Sequence, residues 1–456
     1  MNLTDRPFIR LLTLCVLYVA QGIPYGFVAV TLAAYLAERG FDAGTIGALA
    51  AAATLPWTFK WIWGPMIDRF GIPSMGRRRP WIILAQAGMI LSIAVMALVP
   101  FTPLEITIYL PGAGLTRLQN TENLALMGLM IFVHNIFNSL QDVSVDALAV
   151  DLLREEERGR VSGLMYGSKF FGTFIGGAVL SRVLTWGGLQ MVFMWQIAIL
   201  SAIMFLPLLL RERAGERLLP WTRGSIQLKP SEALSKSAVL LFRRLGKAFS
   251  LRSTLIAGVI GLCMFIANGA LGPVLQVFYL EDLGWERTEY TDISGGWGVF
   301  MGLAGAMGGG FLADLFGAKR IIAVGSIGLG ICYLGFGAMA PDVLGTGWFS
   351  WESKGAMTMF ILAEGFLLSL ATVGLFSMYM TVSWPIVAGT QFTAYMALLN
   401  LSTTTGQWMA GWVEDIGLLQ VILMFGIFQL LLILLLPLID VHQTRRVLGD
   451  GTSAST

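Results

Sequence analysis

Charged residues are scarce in this sequence: they make up 13% of its 456 residues, whereas hydrophobic residues make up 56%. Soluble domains contain about 25% charged residues, because a surface in water has to be covered by polar groups. The shortage of charge excludes an ordinary soluble protein and indicates a chain whose solvent is a lipid bilayer. A formal net charge of only +2 gives no reason to expect a nucleic-acid partner.

Cysteine and histidine are scarce as well, with three and two residues. Cys15, Cys263 and Cys332 lie inside apolar runs, and no two of them have the spacing of a metal site or a disulfide framework. The sequence has no glycine-rich loop for ATP phosphates and no arrangement of Ser, His and Asp that suits nucleophilic catalysis. We therefore predict that the protein is not an enzyme, has no catalytic residues and holds no metal ion or organic cofactor.

Long apolar runs fill most of the chain, and a helix that spans a bilayer needs roughly 20 such residues. Twelve runs of this kind occur, at positions 9–37, 43–66, 80–100, 124–150, 161–182, 189–210, 254–280, 290–313, 320–340, 355–381, 386–412 and 418–439. The first is too long for the core of a signal peptide, so we interpret it as a retained span. The predicted fold is an all-α membrane protein with 12 transmembrane helices in two pseudo-symmetric six-helix bundles.

The distribution of Lys and Arg predicts the orientation of these spans, because positive residues concentrate in cytoplasmic loops. With the N-terminus in the cytoplasm, 23 of the 30 Lys and Arg residues fall in cytoplasmic segments and 5 fall outside. An even number of spans returns the C-terminus to the cytoplasm. We expect a multi-pass protein of a bacterial inner membrane with both termini cytoplasmic.

A glycine–aspartate–basic motif occurs twice, after the second span and after the eighth, 246 residues apart. Its members are Gly64, Asp68 and Arg69 in the first copy, and Gly310, Asp314 and Arg320 in the second. Gly176 and Gly406 form a further match at an offset of 230. We interpret the motif as a gating element: glycine allows close helix approach, aspartate caps a facing helix, and the arginines hold the loop to anionic headgroups and to an acidic partner. Asp151 is the candidate partner of Arg69.

The repeat predicts the domain organisation, since internal repeats are typical of secondary transporters. Residues 1–210 form an N-terminal six-helix bundle and residues 253–440 a C-terminal one. Residues 211–252 form a basic cytoplasmic linker, which we interpret as an amphipathic helix on the membrane surface. Residues 441–456 form a cytoplasmic tail.

The first copy of the motif, with Arg77, Arg78 and Arg79 following it, resembles the loop signature of the major facilitator superfamily. The segments 59–69, 21–24 and 141–147 resemble more specifically the group of AmpG-like muropeptide permeases and acetyl-coenzyme A transporters. The resemblance implies proton-driven movement of a sizeable solute by alternating access, with spans one, four, seven and ten lining a central cavity. It implies no cofactor beyond the proton gradient.

Ionisable side chains within the spans are costly and are therefore functional candidates. Lys60, Asp142 and Lys169 are predicted at a similar depth, and Asp146 lies one turn beyond Asp142. These four residues either bind the solute or only brace the first half. His134, Asn138, Asp142 and Asp146 follow a four-residue spacing, so they form one polar stripe that lines either a water-filled path or a neighbouring polar helix.

Glu364 is the only acidic residue deep in the second half. Because a low dielectric disfavours a bare charge, it is a candidate for reversible protonation, together with Asp142 and Asp146. A permanent partner of Glu364 is the alternative. Further solute contacts are predicted at Gln21 and Tyr25 on the first span and at Asn268 and Gln276 on the seventh, although Gln21 and Tyr25 could equally bond neighbouring helices.

We predict a proton-coupled symporter that imports a sizeable polar or anionic solute, with a muropeptide as the first choice. A siderophore or an acyl-CoA-type solute is the alternative cargo, and a proton antiporter that exports drugs is the alternative mechanism. A membrane sensor on the same scaffold is the alternative outside the transporter class. The expected partners are the small-molecule solute and the lipid bilayer, and the expected state is a monomer.

Overall fold

The computed structural model describes residues 2–70, 72–98, 105–110, 114–119, 122–219, 222 and 238–449. Within this part of the chain, nine helical stretches are long and apolar enough to cross a bilayer. The chain divides into two compact units: unit 1 comprises Met1–Trp57 and Trp63–Leu228, and unit 2 comprises Thr58–Ile62 and Lys229–Thr456.

Unit 1 is built from eight α-helices. These are α1 (Pro7–Gly26), α2 (Ala33–Ala37), α3 (Ala43–Thr58), α4 (Trp63–Arg69), α5 (Arg79–Leu98), α6 (Glu122–Leu152), α7 (Glu155–Phe174) and α8 (Leu180–Leu209). π-helical turns join α1 to α2 (Phe27–Leu32) and α7 to α8 (Ile175–Val179). A short 3-10 turn lies at Pro73–Met75, and another at Lys60–Ile62 lies between α3 and α4 in the segment that groups with unit 2.

A two-stranded hairpin lies between α5 and α6, where the sequence indicated only a long loop. Strand β1 (Glu105–Leu110) pairs with β2 (Gly114–Gln119) in antiparallel register, from Glu105 opposite Gln119 to Leu110 opposite Gly114. Helices account for the rest of the regular structure in the described residues, apart from three isolated bridges.

Unit 2 contains ten α-helices. These are α9 (Ala238–Phe249), α10 (Arg252–Met264), α11 (Ile266–Val277), α12 (Arg287–Asp292), α13 (Gly298–Phe316), α14 (Ala318–Ala338), α15 (Lys354–Val382), α16 (Ala388–Ile416), α17 (Leu418–Leu432) and α18 (Gln443–Leu448). π-helical turns follow α11 (Phe278–Asp282) and α12 (Ile293–Trp297), and 3-10 turns lie at Pro385–Val387 and Ile433–Leu438.

The predicted linker 211–252 divides into parts with different roles. Residues beyond Leu209 fold back on unit 1, where Leu3 N donates to Arg211 O over 2.8 Å and Arg217 N donates to Ser74 O over 2.7 Å. The helix of this region, α9, packs instead in unit 2, and its buried Ala248 lies against Trp384 and Val387. Among the described residues of the segment, the helix begins at Ala238, and the interpretation as an amphipathic surface helix stays a prediction.

Proline and glycine explain where the long helices are interrupted. Pro24 lies inside α1 just before a π-helical turn, and Pro273 lies inside α11 just before another. Proline provides no backbone N–H, so the regular hydrogen-bond ladder shifts at these points. The long run from α7 to α8 is broken at Gly188, whose φ of 67° and ψ of −175° are not helical.

Helix α1 crosses α7 with direct contact between backbones. A Cβ added to Gly22 would lie 2.1 Å from the carbonyl oxygen of Lys169, and a Cβ added to Gly172 would lie 2.3 Å from that of Val19. Real Cβ atoms do not approach so closely, so only glycine fits at this crossing.

The same crossing recurs in unit 2 between α11 and α16. A Cβ on Gly406 would lie 2.2 Å from the carbonyl oxygen of Ile266, and one on Gly269 would lie 2.4 Å from that of Thr403. The two units therefore repeat one packing device, which supports the internal duplication seen in the motifs.

The repeated crossing corrects one sequence match. Gly172 contacts the Cα of Gly22 in the way that Gly406 contacts the Cα of Gly269, so Gly172 and not Gly176 is the counterpart of Gly406. The match of Gly176 to Gly406 is wrong by one helical turn. Gly172 and Gly176 both pack against α1, so composition alone did not distinguish them.

Candidate functional site

Glu364 on α15 is partly buried and has two hydrogen-bond donors. Tyr333 Oη on α14 donates to its Oε1 over 2.9 Å, and Asn268 Nδ2 on α11 donates to the same oxygen over 3.3 Å. Both donors are neutral, and Glu364 forms no ion pair with any described residue. These donors steady the carboxylate, but they do not neutralise its charge.

Two further polar residues belong to this part of unit 2. Gln276, buried on α11, hydrogen-bonds Tyr290 of α12, and Tyr290 lies close enough to Glu364 for an electrostatic interaction. The structure thus brings together three of the residues predicted from the sequence, Asn268, Gln276 and Glu364, and adds Tyr290 and Tyr333.

Unit 1 has an acidic cluster surrounded by tyrosines. Tyr18 Oη of α1 donates to Oδ1 of Asp146 on α6, and Asp142, one turn away, is 5% exposed. Tyr166 of α7 lies near both Tyr25 and Asp142. Because Tyr25 is 54% exposed, this cluster includes a side chain that a solute could reach.

The two predicted intramembrane lysines are in different units. Lys169 on α7 places its Nζ 4.7 Å from the ring centroid of Trp57, a cation–π contact, in unit 1. Lys60 begins the 3-10 turn after α3, in the short segment that groups with unit 2. The expected cluster of both lysines with Asp142 and Asp146 therefore stays a prediction.

His134, the first residue of the polar stripe on α6, faces the neighbouring helix α5. His134 Nδ1 lies 3.0 Å from Ser92 Oγ and 3.2 Å from the carbonyl oxygen of Met89, both on α5. Asn138 is completely buried, as is Gln21 on α1. Of the two interpretations of the stripe, the structure supports a neighbouring polar helix for His134, and its role as a solute contact stays a prediction.

The end of unit 1 that carries Arg77, Arg78 and Arg79, here called the basic end, is organised by a buried carboxylate. Glu212, 3% exposed, accepts the backbone N–H of Arg77 over 3.1 Å and that of Arg78 over 2.7 Å, and it also accepts the N–H of Arg79. These groups begin α5, so Glu212 caps the start of that helix.

Arg79 is 2% exposed and binds backbone carbonyls at the end of α8. Its Nε donates to Pro207 O over 2.5 Å, and its Nη1 donates to Arg217 O over 2.8 Å. In unit 2, Lys319 Nζ at the start of α14 donates to the carbonyl oxygen of Ile439. Ile439 directly follows the 3-10 turn that comes after the helix α17. Arg79 thus caps the last helix of unit 1, and Lys319 binds a carbonyl just past the 3-10 turn that follows α17, so each satisfies carbonyls that a helix end leaves open.

Asp151 pairs with Arg78, and its predicted pairing with Arg69 stays a prediction. Arg78 Nε lies 2.9 Å from Asp151 Oδ2, and the arginine side chain is 7% exposed. The side chains of Asp68 and Arg69 lie outside the described residues, so their predicted roles stay predictions. Arg78 and Arg79 are buried, whereas Arg77 is exposed, so headgroup contact by the arginines of this loop stays a prediction.

The glycines of the repeated motif do not mark close helix contacts. Around Gly64, no described atom comes within 4 Å of an added Cβ, and around Gly310 the nearest is Val373 Cγ1 at 3.7 Å. Close approach at these glycines was therefore a wrong interpretation. Asp314 lies near the end of α13, and both it and Arg320 are exposed.

Two carboxylates near the basic end have shifted pKa values. Burial raises the pKa of Glu212, although the N–H groups of Arg79, Arg78 and Arg77 act in the opposite direction. A hydrogen bond from the Arg154 side chain holds the pKa of Glu157 below its ordinary value, and the positive charge of Arg10 adds to this effect. Arg10 Nη2 lies 3.1 Å from Glu157 Oε2 and ties the start of α1 to that of α7.

Comparison with known proteins places these features in a family. The family described as Major Facilitator Superfamily matches residues 14–407. The chain belongs to the major facilitator superfamily. Members of this superfamily are transporters, so the family match indicates a transporter rather than an enzyme.

Curated relatives of this superfamily member include the anhydromuropeptide permease of Escherichia coli (strain K12), 23% identical over 407 residues that cover 88% of this chain and 73% of the relative. The putative transporter AmpG 4 of Rickettsia felis is 24% identical over 333 residues, which cover 72% of this chain and 73% of the relative. The resemblance to AmpG-like permeases stated from the motifs is thereby confirmed at the level of the group.

Solved structures of superfamily members share the fold. A POT family transporter in complex with 5-aminolevulinic acid matches with a TM-score of 0.70 at 13% identity, covering 94% of this chain and 95% of the other. A D-xylose-proton symporter matches with a TM-score of 0.63 at 13% identity, covering 92% and 97%. At these identities the comparison concerns the fold alone.

Sequence reasoning missed several residues that organise these sites. Tyr333 supplies the closest partner of Glu364, Trp57 holds Lys169, and Glu212 caps α5. An isolated tyrosine or tryptophan in an apolar span has no distinguishing pattern. Glu212 follows an apolar run by two residues, where an acidic side chain is ordinarily interpreted as solvated.

Proposed function

We propose that this superfamily member crosses the membrane twelve times, with both termini in the cytoplasm of a bacterium. The stretch Val161–Leu209 has 49 residues and a break at Gly188, and at about 1.5 Å per residue it is more than twice as long as the roughly 30 Å hydrocarbon core. It therefore supplies two spans. The segment containing α3 and α4 and the helix α16 supply the two spans beyond the nine long apolar stretches.

We propose further that the protein is a proton-coupled symporter and that Glu364 carries the coupling proton. The observation that supports this role is the pairing of Glu364 with neutral donors only, Tyr333 and Asn268. A carboxyl group without a cationic partner can bind and release a proton without leaving an opposite charge unpaired. Asp142, which lies in the tyrosine cluster of unit 1, is the second candidate for this role.

The proposed cargo is a sizeable polar or anionic solute, with an anhydromuropeptide as the first choice. The exposed ring of Tyr25 offers a stacking surface, Lys169 offers a positive charge, and Asp142 and Asp146 accept hydrogen bonds from hydroxyl or amide groups. The choice of a muropeptide rests on the similarity to permeases named for that solute.

Transport by purified protein in proteoliposomes tests both proposals. Labelled anhydromuropeptide is supplied outside, and a proton gradient directed inward is imposed across the membrane. A symporter accumulates the solute in the direction of the protons, whereas an antiporter moves it the opposite way. Saturable binding without any flux would indicate a sensor.

Glu364→Gln isolates the coupling step. We expect this variant to lose accumulation driven by the gradient while it still exchanges labelled for unlabelled solute, because exchange needs no net proton movement. Asp342→Asn, at an exposed position outside the spans, is the matched control and is expected to transport normally. Full accumulation by Glu364→Gln would exclude this residue and direct the test to Asp142→Asn.

A further inference from the structure

A small cavity lies inside unit 1, among α1, α5, α6 and α8. Its volume is about 10 Å³, close to the 10–15 Å³ that one water molecule requires. Apolar side chains such as Phe27 and Ile93 form most of its wall, and three polar residues, His134, Asn135 and Gln196, complete it.

Two polar atoms in this wall have no hydrogen-bond partner among the described residues. They are Nε2 of His134 and Nε2 of Gln196, whose residues are 3% and 1% exposed. Asn135 differs, because its Oδ1 accepts from Trp57 Nε1 over 3.1 Å and its Nδ2 donates to Ile131 O over 3.0 Å. A buried polar group without a partner destabilises the fold, so the cavity has two groups that require a ligand.

The contacts of His134 with α5 determine which nitrogen carries the proton. The Ser92 hydroxyl donates to the carbonyl oxygen of Met89 over 2.8 Å, so its oxygen is left to accept. Nδ1 of His134 lies against that oxygen and the same carbonyl, and both are acceptors. The hydrogen is therefore on Nδ1, and in the neutral ring Nε2 presents a lone pair to the cavity.

We propose that one water molecule is bound inside unit 1 between Nε2 of His134 and the amide of Gln196, and that it donates to the lone pair that the Nδ1–H form leaves on Nε2. The ligand has to donate to Nε2 and also bond the amide nitrogen of Gln196, and water does both. The small volume excludes an organic ligand, and apolar walls without carboxylates do not suit a metal cation. This inference does not depend on proton coupling or on the identity of the solute.

The duplicated position in unit 2 is occupied by a side chain. Ser326 on α14 and Gln429 on α17 lie 234 and 233 residues after Ser92 and Gln196. Both contact the sulfur of Met264, Ser326 Oγ at 3.8 Å and Gln429 Nε2 at 3.2 Å. In unit 2, the thioether of Met264 therefore lies between the serine and the glutamine. In unit 1, the corresponding space holds His134 and the cavity.

Solid-state NMR of the full chain in lipid tests the water site directly. The sequence has two histidines, so His442→Gln leaves His134 as the only residue that takes up ¹⁵N-histidine. We expect a protonated Nδ1, an unprotonated Nε2, and rapid transfer of magnetisation from water protons to the Nε2 side of the ring. A protonated Nε2 in the neutral ring, or no transfer from water, would overturn the proposal.

Coupling between the two side chains gives a second readout. His134→Leu and Gln196→Leu should each lower the melting temperature, and the double variant should lower it by clearly less than the sum, because the two residues share one ligand without bonding each other. Gln429→Leu, at the equivalent position of unit 2, is the control and should combine additively with His134→Leu. Equal additivity in both pairs would refute a shared water.

Discussion

Substituting Gly172 by alanine measures how much the crossing of α1 and α7 depends on direct backbone contact. The added methyl carbon would lie 2.3 Å from the carbonyl oxygen of Val19 and 2.9 Å from the Cα of Gly22. Ordinary contact begins near 3.4 Å, so the helices have to separate by roughly 1 Å. Overpacking of this kind costs about 1–3 kcal/mol, and the better helix propensity of alanine returns about 0.5–1 kcal/mol.

Gly163 on the same helix provides the matched control, because no described atom lies within 4 Å of a Cβ added there. We expect Gly163→Ala to leave the free energy of unfolding unchanged or to raise it by up to about 1 kcal/mol, and Gly172→Ala to lower it by about 1–2 kcal/mol. Equilibrium unfolding in mixed micelles measures both variants under identical conditions.

The repeat in unit 2 allows the reasoning to be tested twice. Gly406 should respond to alanine as Gly172 does, and Gly389, which has open space around it on α16, should respond as Gly163 does. If Gly172→Ala and Gly163→Ala unfold with the same free energy, the close crossing does not stabilise unit 1. The equivalent crossing of α11 and α16 would then not be expected to stabilise unit 2 either.

Three residues at the basic end of unit 1 provide four further expected outcomes. Glu212→Ala should lower the free energy of unfolding by about 2–4 kcal/mol, because three backbone N–H groups, two of them buried, lose their acceptor. Glu212→Gln should retain most of that stability, since burial already raises the pKa of this carboxyl and the amide oxygen still accepts. Because the pKa of Glu157 is lowered, its carboxylate stabilises the fold at neutral pH and loses this effect as pH falls below 4.5. Glu157→Gln should therefore make the melting temperature depend less on pH in the acid range. Arg78→Ala should destabilise by about 1–3 kcal/mol, and a double-mutant cycle with Asp151→Ala, measured by unfolding, should show that the two losses do not add.

The helical architecture could be predicted because a bilayer leaves few alternatives. Apolar runs of about 20 residues have to form helices there, since no water can satisfy their backbone groups. The interruptions were harder to place. Gly188 breaks a run of 49 residues with one unusual φ angle, and the hairpin Glu105–Leu110 with Gly114–Gln119 has no apolar alternation strong enough to predict it.

The candidate sites, like the fold, could be predicted only in part. Glu364 and Asn268 could be predicted because a polar side chain deep in a span is rare and has to find a partner. Their contact with Tyr333 could not, because it depends on how α11, α14 and α15 rotate against one another. The rotation of α6 also determines the contacts of His134. The four-residue spacing placed His134 on the polar stripe of α6, but its neighbours on α5 could not be predicted.

The place of Glu212 has a consequence for dividing the protein into two separately expressed chains. A fragment that stops at Leu209, where the last helix of unit 1 ends, would lack the carboxylate that caps α5 and the carbonyls of residues 217 and 218 that Arg79 binds. A fragment extended through Leu219 would contain them all. Complementation between co-expressed halves should therefore succeed with the longer first fragment and fail with the shorter one. Hydrogen bonds, and not the end of the apolar run, then determine where the first folding unit ends.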